Sequence, residues 1–253
     1  MLERALHWYA PEIRGLDRLP ATDPFLIVGN HSGGPMMPDM WIFYAAWTRQ
    51  HGIEREAYGL GFDLLFAAPG LSSVWRKFGT IPASMDNADA ALDRGAPVLV
   101  YPGGDWEACR PFSHRHRIDF HGHTGFVKLA LRRQIPVVPL VSHGSHESLV
   151  IVTRGERIAS LLQLNRLRIK VFPIVLGVPF GLTTILGPYL PLPTQVTVEV
   201  LEPLDWTHYG PDAADDPEIV QRCYDEITGL MQAELDELAA THRFAVLRRF
   251  KNA

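Results

Sequence analysis

The sequence has few cysteines and no excess of positive charge. Its 253 residues include only two cysteines, Cys109 and Cys223, which lie far apart and lack the spacing of metal ligands. This pattern argues against a disulfide framework or a thiolate zinc site and favours a reducing compartment. The formal net charge of -4 gives the chain no general attraction for a phosphate backbone. We therefore expect no nucleic-acid partner.

The sequence also lacks a secretory signal and a convincing membrane-spanning helix. Glu3 and Arg4 interrupt the first apolar run, and no small-residue cleavage site follows, so we expect no export. One long uncharged stretch, residues 171–198, contains prolines and glycines that a lipid-exposed helix does not tolerate. We expect irregular backbone and short strand there, either at a membrane surface or as an ordinary apolar loop and core strand. The tail RFAVLRRFK suits contact with anionic lipid or an ordinary solvated helix end.

Apolar runs alternate along the chain with helical patterns. The runs PFLIVGN, PVLVYPGG and IPVVPLVSHG are typical of buried strands, and longer periodic segments separate them. This order predicts a single α/β domain over residues 1–253, with a central, mostly parallel mixed sheet flanked by helices. We place the core at about 23–203 and a C-terminal helix at about 216–245, capped by Asp216 and opened by Pro217. Open α/β sheets bind ligands where strands end, so we expect the chemistry there.

The segment VGNHSGGPMMPD places a histidine at such a strand end. Imidazole titrates near neutral pH, so His31 is a candidate general base. A carboxylate on its other ring nitrogen would fix the tautomer, and Asp39 is the nearest in sequence. The plainer alternative is a histidine that caps a turn and an aspartate that caps the next helix.

Two further segments contain candidate binding residues. In VLVYPGGDWEACRP, the amides of Gly103 and Gly104 can approach an oxyanion, a phosphate or an acceptor head group, and Glu107 and Arg110 follow. Glu107 can instead face His31, and a plain strand-to-helix turn would use the same residues. The other segment is RKFGTIPASMDNADAALDRGAPV. Its basic pair, Arg76 and Lys77, can bind the phosphates of an acyl carrier or simply face solvent.

Together, in this order, the three segments resemble the PlsC-like glycerolipid acyltransferase superfamily, whose hallmark is His-x-x-x-x-Asp followed by a Pro-Glu-Gly type motif. The sequence is closer to the monoacylglycerol and diacylglycerol acyltransferase-like branch. In that branch the second motif is PGG with a Glu three residues later, as at Pro102 to Gly104 and Glu107 here. A similar TGFVKLALRRQIPVVPLVSHGSHE segment also follows, at Thr124 to Glu147. The resemblance covers about Asp23 to Pro203.

The resemblance implies a glycerol-3-phosphate acyltransferase-like fold and an O-acyltransferase. The donor would be acyl-CoA or acyl carrier protein, and the acceptor a lipid hydroxyl. His31 would act as general base without a covalent intermediate, a cofactor or a metal. It also implies a cytoplasmic protein attached peripherally to the membrane.

The sequence departs from the family pattern at two places. The hallmark spacing puts the aspartate at position 36, which is Met36, so Asp39 serves only if the turn folds back. In family members that act on phosphate-bearing acceptors, Thr-Arg comes after the second motif. This chain has Gly104, Asp105 and Trp106 there instead. This difference favours a neutral acceptor, although Arg110 remains a candidate phosphate ligand.

Three other functions remain open on the sequence alone. A serine hydrolase or thioesterase would use Ser32, although the first glycine of its expected Gly-x-Ser-x-Gly elbow is replaced by Asn30. A non-catalytic lipid-binding protein would need the apolar surface but not His31. A metal enzyme would draw on the residues with ligand-forming side chains. These are His114, His116, His121, His123, His143, His146 and Glu147.

Overall fold

The structure is a computed structural model that describes residues 6–22, 24–62, 64–67, 70–167, 170–241 and 245. Asp23, the predicted start of the core, lies outside these residues. So do Glu3, Arg4 and all of the basic tail except Ala245. The α-helices are α1 (Pro38–His51), α2 (Leu64–Ala67), α3 (Leu71–Lys77), α4 (Met85–Asp93), α5 (Gly104–Ala108), α6 (Gly125–Arg133), α7 (Glu156–Leu161) and α8 (Pro217–Thr241).

The strands form two sheets. They are β1 (Glu12–Arg14), β2 (Leu26–Gly29), β3 (Tyr58–Gly61), β4 (Thr80–Pro82), β5 (Val98–Val100), β6 (Val137–His143), β7 (Val150–Thr153), β8 (Ile174–Gly177), β9 (Gly181–Thr184) and β10 (Thr197–Val200). The larger sheet has seven strands in the order β1-β10-β6-β2-β5-β3-β4. The five strands from β6 to β4 are parallel, and β10 joins β6 antiparallel. The predicted mostly parallel α/β fold is therefore confirmed.

Helices cover the two faces of this sheet. Side chains alternate along a strand, so Leu26 and Val28 of β2 pack on one face while Ile27 packs on the other. Helices α6 and α8 cover the first face, and α1 covers the second. One face of α8 is buried, at Val220, Cys223, Ile227, Met231, Leu235 and Leu238.

The start of α8 follows the predicted capping pattern. Pro217 is its first residue, and Asp216 Oδ1 accepts the backbone N–H of Glu218 at 2.9 Å. This side chain satisfies one of the donors that every helix start leaves unpaired. The helix is described as far as Thr241.

The uncharged stretch 171–198 forms short strands and irregular backbone, as predicted. Strands β8 and β9 make a hairpin that joins β7 in a three-stranded antiparallel sheet. Irregular backbone then leads to β10 in the larger sheet. Among the described residues, no helix is both long and apolar enough to cross a membrane.

Three neighbouring parallel strands, β6, β2 and β5, end at the same edge of the larger sheet. The side chain of Asn30, just after β2, continues the pairing with β6. Its Oδ1 accepts the N–H of Ser142 at 2.7 Å, and its Nδ2 donates to the Ser142 carbonyl at 3.0 Å. This bridge fixes the position of the next residue, His31.

Candidate active site

His31 and Asp39 lie together at the edge of the sheet where β2 ends. Nδ1 of His31 is 3.2 Å from Oδ2 of Asp39, and the backbone N–H of Ser32 donates to the same oxygen at 3.2 Å. The Asp39 side chain is almost fully buried, while that of His31 keeps 11% of its surface exposed. The carboxylate is thus placed to orient the imidazole ring.

The turn between these two residues brings the chain back on itself. Gly33, Gly34 and Met37 all have positive φ angles, of 84°, 59° and 45°. A Cβ atom on Gly33 would also lie 2.8 Å from Cδ of Pro38, so a side chain is excluded there. The turn therefore meets the condition under which Asp39, rather than a residue at position 36, can partner His31.

A buried pair of charged residues holds the main chain of His31. The backbone N–H of His31 donates to Glu107 Oε2 at 2.8 Å, and Arg110 Nη1 donates to the His31 carbonyl at 2.8 Å. Glu107 Oε1 accepts the backbone N–H of Asp119 at 3.1 Å. Glu107 therefore contacts the backbone of His31, whereas Asp39 contacts its ring.

Burial dominates the electrostatics of this pair. It raises the pKa of Glu107 to about 7, even though the Arg110 charge and the N–H groups of His31 and Asp119 oppose the shift. Burial also lowers the pKa of the Arg110 guanidinium, and the carboxylates of Glu107 and Asp39 oppose that change. The charge that anchors the histidine backbone can therefore change near neutral pH.

Arg110 does not face a substrate. Its side chain is 1% exposed, and its two terminal nitrogens donate to the backbone carbonyls of His31, Glu107 and Arg115. A guanidinium held in this way is not available to an acceptor phosphate, which corrects that part of the sequence-based prediction. The geometry instead supports a role in positioning His31.

The two glycines of the PGG turn have different roles in the structure. The N–H of Gly104 donates to the Tyr101 carbonyl at 3.0 Å, so this amide is not available to an oxyanion as predicted. A Cβ atom on Gly103 would lie 2.6 Å from Glu107 Oε2 and 2.8 Å from the Asp119 carbonyl. Gly103 is therefore required so that the backbone can approach the buried carboxylate closely.

Tyr101 is a site residue that the sequence did not reveal. Its ring stacks on the His31 imidazole, with 4.6 Å between centroids and 30° between planes. Burial raises the pKa of its hydroxyl well above the usual value. The available signal was its position directly after β5, at the same edge of the sheet as His31, which lies two residues after β2.

A cavity of about 710 Å³ opens beside His31. This volume is typical of a small-molecule site. Aromatic and aliphatic side chains supply much of its wall, including Trp41, Tyr44, Leu60, Trp75, Phe78, Leu99 and Tyr101. Arg76 and Lys77, at the end of α3, also line it, so these predicted phosphate ligands share a cavity with the histidine.

The sequence matches the family model described as Acyltransferase over residues 10–143, more than half of the chain. The chain belongs to this acyltransferase family. The match contains both His31 and the PGG turn, as the sequence resemblance predicted.

Relatives of this family member extend the similarity over most of the chain. An uncharacterized protein of Mycobacterium tuberculosis is 30% identical over 238 residues, covering 93% of this chain and 63% of the relative. The human "DGAT1/2-independent enzyme synthesizing storage lipids" is 25% identical over 194 residues, covering 77% of this chain and 58% of that protein. The chain thus spans about three fifths of the length of these curated relatives.

A solved structure supports the fold of this chain. The crystal structure of PlsC, the 1-acyl-sn-glycerophosphate acyltransferase of Thermotoga maritima, superposes with a TM-score of 0.58. The superposition covers 94% of this chain and 77% of the other at 16% sequence identity. At that identity the comparison shows a shared fold.

Proposed function

We propose that this protein transfers a fatty acyl group from a thioester donor to the hydroxyl of a neutral lipid, with His31 as the general base. The observation that carries the proposal is the His31 ring, held by Asp39 at the wall of an apolar cavity in a chain of the acyltransferase family. The neutral lipid would be a mono- or diacylglycerol or another lipid alcohol.

The hydrogen bond to Asp39 determines which ring nitrogen of His31 accepts the proton. With its proton on Nδ1, the His31 ring leaves Nε2 to accept the proton of the acceptor hydroxyl. The resulting alkoxide attacks the thioester carbonyl, and collapse of the tetrahedral intermediate forms the ester and expels the thiolate. The thiolate then takes the proton from His31, so the histidine returns to its starting state. No covalent enzyme intermediate and no further cofactor is needed.

The cavity offers a place for the donor. Its apolar walls suit an acyl chain, and Arg76 and Lys77 suit the phosphates of coenzyme A or of a carrier-protein prosthetic group. We therefore assign the acyl thioester to this cavity. Coenzyme A and the carrier-protein prosthetic group both carry phosphates. The assay must therefore compare the two acyl donors.

The acceptor is proposed to be neutral because of Asp105. This exposed carboxylate lines the cavity at a position where phosphate-accepting relatives of the resembled family carry a Thr-Arg pair. A negative charge there repels a phosphate head group. The similarity to the storage-lipid enzyme supports the same choice of acceptor.

We also propose that the small sheet attaches the protein to a membrane surface. Large apolar side chains are exposed on and beside β7, β8 and β9, a surface we call the β7–β9 patch. Its members are Val152, Leu176, Val178, Phe180, Leu182, Leu186 and Leu190. Exposed apolar surface of this extent is typical of an interaction site. Ile185, within the same segment, lines the catalytic cavity, so a lipid acceptor has an apolar path to it.

A serine hydrolase is less well supported. The Ser32 hydroxyl is buried and has no hydrogen-bond partner among the described residues, while its backbone N–H contacts Asp39. A nucleophilic serine requires a base within hydrogen-bond reach of its hydroxyl. The geometry around Ser32 lacks that contact.

The experiment is thiol release from an acyl-CoA panel and from acyl carrier protein, with mono- or diacylglycerol, with lysophosphatidic acid, or with no acceptor. Wild type is compared with His31→Ala, and His121→Ala serves as an exposed histidine control. Release that depends on a neutral acceptor, yields the ester by mass spectrometry and falls about 10²–10⁴-fold in His31→Ala supports the proposal. Equal release without acceptor would indicate a thioesterase, and faster reaction with lysophosphatidic acid would contradict the neutral acceptor.

A further inference from the structure

A second cluster of titratable side chains lies outside the residues that hold the His31 ring. It consists of His116, His143 and Glu147, which we call the His–Glu cluster. Their nearest ligand-forming atoms all lie within 4.8 Å of one another. His116 belongs to the loop after α5, His143 ends β6, and Glu147 lies in the short 3-10 helix Ser145–Ser148. Three separate segments therefore bring two imidazoles and a carboxylate together.

Two of the three side chains of the cluster are buried. His143 and Glu147 are 2% and 3% exposed, and the ring centroids of His116 and His143 are 5.2 Å apart. His116 Nε2 lies 3.8 Å from Glu147 Oε1, which is longer than a hydrogen bond. The three donor groups thus face one another without closing a hydrogen bond between His116 and Glu147.

One oxygen of the buried carboxylate has a lone pair to offer. Glu147 Oε2 accepts the backbone N–H of Ala245 at 2.8 Å, whereas Oε1 has no hydrogen-bond partner among the described residues. The nearest nitrogen atoms to Oε1, Arg115 Nε at 3.6 Å and His116 Nε2 at 3.8 Å, lie at ion-pair distance rather than hydrogen-bond distance. The bond to Ala245 also fixes the carboxylate orientation, as outer contacts do for metal-bound carboxylates.

Arg115 offsets the charge of Glu147 without occupying that oxygen. Its Nε lies 3.6 Å from Oε1, while its guanidinium stacks over the Phe112 ring at 4.4 Å and donates to the Phe112 carbonyl at 3.2 Å. These contacts hold the guanidinium beyond hydrogen-bond distance of the carboxylate. A cation bound to Glu147 would have to tolerate this neighbour, which favours a site with strong nitrogen ligands over one made of oxygen alone.

We propose that the His–Glu cluster binds a divalent zinc ion that stabilises the fold. Two imidazole nitrogens and one carboxylate oxygen are a set of ligands that zinc accepts, with a water molecule completing the tetrahedron. Bonds of about 2.0–2.1 Å would place the donor atoms about 3.3 Å apart, so side-chain shifts of about 1 Å close the site. The ion takes no part in the acyl transfer proposed above.

The site would stiffen the support of His31. Arg110 Nη2 donates to the carbonyl of Arg115, the residue next to His116, and Arg110 Nη1 donates to the His31 carbonyl. Gln232 of α8 already holds this loop, because its Nε2 donates to the His116 carbonyl at 2.9 Å. Zinc would join the loop to the end of β6 through side chains as well.

The test is titration of chelator-treated protein with zinc alone, followed by calorimetry and by metal analysis after dialysis. We expect one zinc per chain, a rise in unfolding temperature on zinc binding, and affinity at least about tenfold weaker in His116→Gln. His116 is partly exposed, so this variant is a milder change than His143→Gln or Glu147→Gln. Cobalt should give the absorption of a four-coordinate ion in wild type and lose it in His116→Gln.

The matched control is the double variant His121→Gln, His123→Gln. These two rings lie 5.7 Å apart at the surface, where a pair of imidazoles can bind zinc adventitiously. The proposal requires that this variant bind zinc as wild type does. It is overturned if wild type binds less than one zinc per chain, if His116→Gln binds with unchanged affinity, or if the control variant loses the binding instead.

Discussion

The imidazole of His31 and the carboxylate of Asp39 are joined by a contact of 3.2 Å between Nδ1 and Oδ2. Replacing Asp39 by Asn removes the charge that fixes the tautomer and stabilises the imidazolium, while the side chain keeps its shape. We expect kcat to fall by about 10²–10⁴-fold with little change in KM, because the loss occurs mainly in the transition state.

Steady-state kinetics with the best acyl donor and acceptor measure this effect. Asp86→Asn, an exposed aspartate in the first turn of α4, is the matched control and should behave as wild type. Thermal unfolding followed by circular dichroism shows whether the loss of the Ser32 contact disturbs the fold. An unchanged kcat in folded Asp39→Asn would remove Asp39 from the mechanism.

Glu107 should make stability depend on pH. An ordinary glutamate has a pKa of 4.5, whereas burial raises that of Glu107 to about 7. Between these values the folded protein binds a proton that the unfolded chain has released. The contribution of this group is therefore fully present below pH 4.5 and is lost as pH rises towards 7. The slope is at most about 1.4 kcal/mol per pH unit.

Urea unfolding across this pH window, in wild type and Glu107→Gln, measures the difference. The variant lacks the titrating group, so the free energy of unfolding of wild type should fall more steeply with rising pH. Glutamine has one acceptor oxygen for the two N–H groups of His31 and Asp119, so we also expect a loss of about 1–3 kcal/mol. Parallel pH profiles for the two proteins would show that Glu107 does not titrate there.

The sequence was sufficient to predict the features that depend on local order. Strands β2, β5 and β6 follow from apolar runs, and the cap of α8 follows from Asp216 and Pro217. His31 was found because it follows the predicted strand segment PFLIVGN. These signals need only neighbouring residues, so they can be recognised before the chain is folded.

The remaining features depend on residues far apart in sequence. Arg110 was expected to face a phosphate, but it is buried against the carbonyl of a residue 79 positions earlier. The stacking of Tyr101 on His31 likewise requires β2 and β5 to be neighbours in the sheet. Strand β1 was not predicted, because its three residues are only half-buried and pair with β10 near the other end of the chain. The local periodicity of a sequence does not indicate which distant segments pair.

Gly59 should control the length of the acyl chain. It lines the cavity, and a Cβ atom at this position would meet no atom within 4 Å. Gly59→Leu therefore extends into open space without a clash and should shorten the acyl slot. We expect kcat/KM to fall at least about tenfold for long acyl donors and to stay near the wild-type value for short ones, since each misfit methylene is costly.

The acyl-CoA chain-length profile is the measurement. Gly229→Leu in α8, where a Cβ atom also has no neighbour within 4 Å, is the control for adding a leucine elsewhere. A uniform loss at all chain lengths would mean that the substitution disturbs the fold or the donor head group. An unchanged profile would place the acyl chain outside this part of the cavity.

The β7–β9 patch should determine the attachment to lipid. Phe180 and Leu182 are 58% and 70% exposed, and their insertion into a bilayer surface would bury apolar area. Burying such a side chain fully contributes about 1.5–3 kcal/mol, so replacing both residues by serine should lower the vesicle partition coefficient by at least about tenfold. Leu230→Ser, at an exposed leucine of α8, should leave the partition coefficient unchanged.

Co-sedimentation with vesicles measures the partition, and assays with a water-soluble short-chain acceptor report catalysis separately. The proposal predicts weaker sedimentation with normal turnover of the soluble acceptor. Equal sedimentation of wild type and both variants would show that the β7–β9 patch does not attach the protein to lipid.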